Sequence, residues 1–156
     1  MDECLYLLHG DNSHLIKFKT EKLFENKKID VSDIEVFDME ETLLVDAVNA
    51  AMTIPFLSDN KGVILANASF LTANAKSDNE NENQLKYLAN YLANPNPTTI
   101  LVIQAPYEKL DQRKSIFKEC QSYCVVEQCL APNKDDHYSF VRRRIEQENM
   151  VIDANA

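Results

Sequence analysis

The chain has 156 residues, 45% of them apolar and 26% charged, with a formal net charge of −9. This is the composition of a globular domain with its own core, and no run approaches the roughly 18 apolar residues of a membrane helix. The acidic balance argues against a self-sufficient nucleic-acid binder, whose phosphate contacts need a basic face. Met1-Asp2-Glu3-Cys4 is acidic where a signal peptide would be basic, so a cytoplasmic location is expected.

Leu5-Tyr6-Leu7-Leu8, ending in His9-Gly10-Asp11-Asn12, reads as a buried strand and turn. Ser13 is placed to cap a helix through about Asn26, and Ile34-Glu35-Val36-Phe37 reads as a second strand. A helix is expected from Met39 or Glu40 to Thr53, with Leu43, Leu44, Ala47, Val48 and Ala51 on one stripe. The third strand is Gly62 to Ala66. Residues 75–83 are polar and low in complexity, as a loop is. Leu85, Leu88, Tyr91 and Leu92 then mark a helix that Asn94-Pro95-Asn96-Pro97 stops. Thr98 to Gln104 is nearly all apolar, as befits a strand buried on both faces. A helix from Leu110 to Tyr123, a fifth strand from Val125 to Leu130 and a final helix from Asp136 to Asn149 complete the order. Five strands with helices between them predict an α/β fold: a mostly parallel sheet flanked by helices on both faces.

The link between the second helix and the third strand is Ala51-Met52-Thr53-Ile54-Pro55-Phe56-Leu57-Ser58-Asp59-Asn60. Such links normally consist of residues that turn or solvate the backbone. Here the middle is Ile54-Pro55-Phe56-Leu57, and the proline puts the residues after it on a stiff turn. Two readings stand: an apolar tip folded under the domain, or one held out for a partner.

The turn after the first strand is where such a sheet would seat a nucleotide. A phosphate loop needs G-x4-G-K-[ST], because glycines open the backbone and lysine reaches the phosphates. The chain has two glycines, Gly10 and Gly62, where average usage predicts about eleven, and no phosphate loop fits anywhere. Ala66-Asn67 and Gln104-Ala105 stand where magnesium-holding carboxylates would belong. A nucleotide-binding or hydrolysing enzyme is thus the weaker alternative. A phospho-receiver domain using Asp11 and Asp38 lacks a clustered acidic site. Cys120, Cys124 and Cys129 have C-x3-C-x4-C spacing but lack the paired knuckles of structural zinc, and read with Cys4 as small core residues. His9 and His14 read as capping or surface residues, and Arg142-Arg143-Arg144 as a solvated helix face. No cofactor and no metal are expected.

Tyr6-Leu7-Leu8-His9-Gly10-Asp11 and Ile54-Pro55-Phe56-Leu57-Ser58-Asp59-Asn60-Lys61-Gly62-Val63-Ile64-Leu65 together resemble the amino-terminal domain of the delta subunit of bacterial DNA polymerase III. Leu88 to Ile103, with its Asn94-Pro95-Asn96-Pro97 segment, and Lys109-Leu110-Asp111-Gln112-Arg113-Lys114 extend the resemblance across nearly the whole chain. The resemblance implies an AAA+-like, P-loop NTPase-like domain without a functional phosphate loop, which is a non-catalytic member of the polymerase holoenzyme. It implies a clamp-loader role: binding the sliding clamp (beta subunit) through a hydrophobic wedge and helping to open the ring during DNA replication. By position the wedge is Ile54, Pro55, Phe56 and Leu57, with Pro-Phe where relatives carry Leu-Phe. Other clamp-loader subunits are implied as partners of the full-length protein, and DNA only within the assembled loader. Residues 1–145 then form the clamp-binding domain, and 146–156 begin a small helical second domain in a truncated chain.

Overall fold

The computed structural model describes residues 3–55, 57–73 and 81–131. The expected final helix, the residue-146 boundary, Arg142 to Arg144 and Phe56 lie outside the described residues. Among those described, five strands form one all-parallel sheet: β1 (Leu5–His9), β2 (Ile34–Asp38), β3 (Lys61–Ala66), β4 (Thr99–Ala105) and β5 (Val125–Gln128). Their order is β2-β3-β4-β1-β5. Four α-helices connect them: α1 (Ser13–Asn26), α2 (Leu44–Met52), α3 (Glu82–Ala93) and α4 (Ser115–Tyr123). This is the α/β architecture that the alternation of elements predicts.

The period-two alternation of the strands divides the apolar residues between two cores. Leu5, Leu7, Val63, Leu65, Leu101 and Ile103 face α2, α3 and α4. Leu8, Ile100 and Val102 face α1, which contributes Ile16 and Phe24. Gly62 lies under Phe24, and a Cβ there would come within 2.6 Å of the ring, so the missing side chain is what lets the phenyl group lie on the sheet.

Several boundaries differ from the sequence reading. Asn12, not Ser13, caps α1, accepting the Leu15 N–H at 3.1 Å. The second helix begins at Leu44 rather than Met39 or Glu40. Residues 38–42 form a turn instead, in which Asp38 accepts the Glu40 N–H on its side chain and the Glu41 and Thr42 N–H groups on its carbonyl. This is the local bonding by which Asp competes with helix. The fourth helix begins at Ser115, not Leu110. Asp111 accepts both the N–H and the Nε of Arg113 at 3.1 Å, while Lys114 Nζ donates to Phe70 O. The Lys109–Lys114 segment therefore ties α4 to the short 3-10 turn Ser69–Leu71. α3 starts at Glu82, inside the expected 75–83 loop, because Asn81 caps it. β5 ends at Gln128, two residues early, because Cys129 to Ala131 turn across the end of β1.

Candidate functional site

In a parallel sheet every helix-to-strand link lies at one edge and every strand-to-helix turn at the other. The two candidate regions of this chain therefore sit at opposite edges.

At the carboxyl-terminal edge, the β1–α1 turn is closed on itself. Gly10 has φ +130°, and a Cβ would stand 2.1 Å from the Cys129 carbonyl oxygen, so only glycine fits. The Gly10 N–H donates to Ala105 O at 3.1 Å and the Asn12 N–H to Cys129 O at 3.0 Å. The Leu15 N–H is taken by Asn12, and Asp11 Oδ1 accepts the Ala131 N–H at 2.6 Å. These are backbone donors of the kind a phosphate would need, and protein oxygens hold them. His9 is half-buried, and burial pushes its pKa below the ordinary value. Asp11 follows β1 and Asp38 ends β2, two strands that β3 and β4 separate; Asp38 instead accepts Asn67 Nδ2 at 3.1 Å. The cysteines do not form one cluster either, although Cys120 hydrogen-bonds Cys124. Cys120 packs in the core facing α2 to α4 and Cys129 in the core facing α1. No group of three metal-ligating side chains occurs among the described residues, and none of their helices is long and apolar enough to cross a membrane.

At the amino-terminal edge, the α2–β3 link carries the predicted site residues. Ile54 is 73% exposed and Leu57 91%, and Pro55 is partly buried. Phe56 stands between them, outside the described residues. Met52, the last residue of α2, is 53% exposed. Three of the nine large apolar side chains exposed among the described residues thus fall within six positions. Ile54 and Leu57 are held out, not folded under the domain.

The base of this loop is fixed. The last four carbonyls of a helix have no intrahelical partner, and all four in α2 find one. Thr53 Oγ1 donates to Asn49 O at 2.9 Å. Ala50 O accepts the Thr53 N–H at 3.2 Å and Lys61 Nζ. Ala51 O accepts Thr99 Oγ1 at 2.8 Å, Asn96 Nδ2 at 3.3 Å and the Tyr91 hydroxyl at 3.5 Å. Met52 O accepts Asn96 Nδ2 at 3.4 Å. Burial pushes the Tyr91 hydroxyl up to about 12, so it remains a donor at ordinary pH. A groove of about 360 Å³ lined by Met52, Tyr87, Tyr91 and Asn94 to Asn96 opens beside the loop. The sequence reading missed Met52, although its place between the α2 stripe and Ile54 was the available signal. It also missed the polar groups beneath the loop, which come from positions distant in sequence.

A family model described as DNA polymerase III, delta subunit matches residues 6–129. The DNA polymerase III subunit delta of Bacillus subtilis (strain 168) is 28% identical over 155 residues, covering 97% of this chain and 44% of the relative. Among solved structures, the Bacillus subtilis DNA clamp loader delta protein superposes with a TM-score of 0.83 at 28% identity, covering 94% of this chain and 44% of that one. A DNA polymerase III gamma subunit-related protein of Thermotoga maritima gives a TM-score of 0.54 at 12% identity, covering 94% of this chain and 48% of its own; that is a likeness of fold alone. The chain spans less than half the length of the relatives it matches.

Proposed function

The chain belongs to the DNA polymerase III delta-subunit family, and we propose that it is the part of that subunit that binds the sliding clamp. In this reading Ile54, Pro55, Phe56 and Leu57 form a hydrophobic wedge that enters an apolar pocket on the clamp and helps hold the ring open for loading onto DNA. The domain has no catalytic role of its own. Its partners are the clamp, the other loader subunits through parts of the protein beyond these residues, and DNA only in the assembled loader. Residues 1–145 make up the clamp-binding unit, and 146–156 lead towards a second, helical one.

The observation that carries this reading is the exposure of Ile54 and Leu57 on a loop whose base is fully hydrogen-bonded. Fully burying one such side chain is worth about 1.5–3 kcal/mol, and one or two apolar anchors can dominate an interface. The closed β1–α1 turn supports a non-catalytic role, since the Gly10 and Asn12 donors already bond Ala105 and Cys129.

The test is the affinity of the chain for the purified sliding clamp. Phe56→Ala is expected to weaken binding at least about tenfold, the scale of a hot-spot residue, without lowering the melting temperature. Unchanged affinity in a folded variant overturns the wedge assignment.

A further inference from the structure

Lys61 stands out among the cations of the described residues because it is buried and its ammonium points at the end of a helix. Only 8% of the residue is exposed, Nζ donates to Ala50 O, and Glu35 lies 4.0 Å away, itself more than half exposed. α2 carries no basic residue in its last turn, so the cation that complements its carboxyl-terminal dipole comes from β3 instead. Thr99, fully buried at the start of β4, adds the 2.8 Å bond to Ala51 O. Asn96 bridges Ala51 O and Met52 O from the α3–β4 link. The chain leaves α2 without the glycine that commonly ends a helix. Thr53 is already extended, at φ −77° and ψ 130°, so side chains from the sheet do the capping.

We propose that Lys61 and Thr99, assisted by Asn96, are positioning residues for clamp recognition. They lock the end of α2 to the sheet so that Ile54 and Leu57 are presented in their binding geometry before the clamp arrives. The inference rests on the reading of that tip as the clamp-binding wedge. Its physical basis is preorganisation. A loop ordered in the free protein does not lose that freedom on binding, whereas a loop that must be ordered at contact gives up affinity for it. Lys61 also opens β3 directly after the loop, and its N–H donates to Thr98 O at 2.9 Å. The loop is therefore pinned at both ends, by α2 before it and by the β3–β4 ladder after it. None of these side chains needs to touch the clamp.

The test uses the full 156-residue chain with Lys61→Met, Lys61→Arg, Thr99→Val and Thr99→Ser. Three quantities are read: amide hydrogen exchange of residues 53–60 in the free chain, affinity for the purified sliding clamp, and melting temperature. Lys61→Met and Thr99→Val are expected to speed exchange in residues 53–60 about tenfold, leave the β1–β4 ladder unchanged and weaken clamp binding about tenfold, the scale of one buried hydrogen bond. Lys61→Arg and Thr99→Ser, which keep a donor, are expected to restore both. If Lys61→Met fails to fold, the near-isosteric Thr99→Val carries the test. Unchanged exchange in the loop overturns the inference. So does unchanged clamp affinity in Lys61→Met and Thr99→Val while Phe56→Ala still loses binding, and in that case the wedge reading stands. Loss in neither set overturns the wedge reading and the inference with it.

Discussion

Leu57 and Ile54 leave apolar surface in water at the end of a proline-stiffened turn, which a free protein gains nothing by keeping. The oddity was legible in the sequence, because Ile-Pro-Phe-Leu stands where turn-forming polar residues are the rule, but whether the tip is folded under or held out was not. What holds the turn was not legible either. Thr99 lies 48 positions from the carbonyl it caps and Asn96 lies 45 from it, and no periodicity reports a side-chain bond across such a separation. Nothing local in the sequence marks the Lys61 side chain as buried, since its hydrogen-bond partner Ala50 O lies 11 positions away. His9 also takes its character from burial. Its folded-state pKa is depressed, whereas the unfolded chain takes up that proton near pH 6.5. Between those two values the unfolded state binds more protons, so His9 makes stability fall as pH falls through that window. The melting temperature of the parent chain is expected to drop more between about pH 7.5 and about pH 5.5 than that of His9→Gln. Parallel curves for the two proteins would show that His9 is not desolvated in the folded state.

At the level of elements, all five strands and the cores of all four described helices followed from apolar runs and helical stripes. The strands were the easier, since β4 is buried along nearly its whole length and shows it in the apolar run Ile100 to Ile103. Helix starts were the harder part, because they depend on which polar side chain wins a local competition for backbone N–H groups. Met39 is buried and its N–H bonds Ala66 O, so its apolar character belonged to the core and not to a helical stripe. The first residues of α2 are instead capped from α3, by Gln84 Oε1 on the Val45 N–H at 2.9 Å, a contact that a local reading does not contain. Asn12 wins the α1 cap over Ser13, and its carboxamide also reaches towards Leu130 O at 3.5 Å. Asn12→Ala is accordingly expected to destabilise the chain by about 1 kcal/mol, measured by urea denaturation, whereas Ser13→Ala stays within about 0.5 kcal/mol. Equal losses for the two would return the cap to Ser13.

Across the whole molecule, the parallel sheet sets two surfaces apart. One edge has its nucleotide turn filled by the Cys129–Ala131 segment, and the other carries an apolar loop bolted to the ends of α2, β3 and β4. Family membership and the fold were within reach of the sequence, since motif order and spacing run the length of the domain. The edge at which the apolar loop emerges follows from topology, which places every helix-to-strand link of a parallel sheet on the same side. The central claim is that the α2–β3 edge meets the sliding clamp. It is tested most directly by hydrogen exchange of the whole chain with and without saturating purified clamp. Slower exchange at residues 53–60, with residues 10–15 at the β1–α1 turn unchanged, is the predicted result. Protection at residues 10–15 with none at 53–60 would contradict it.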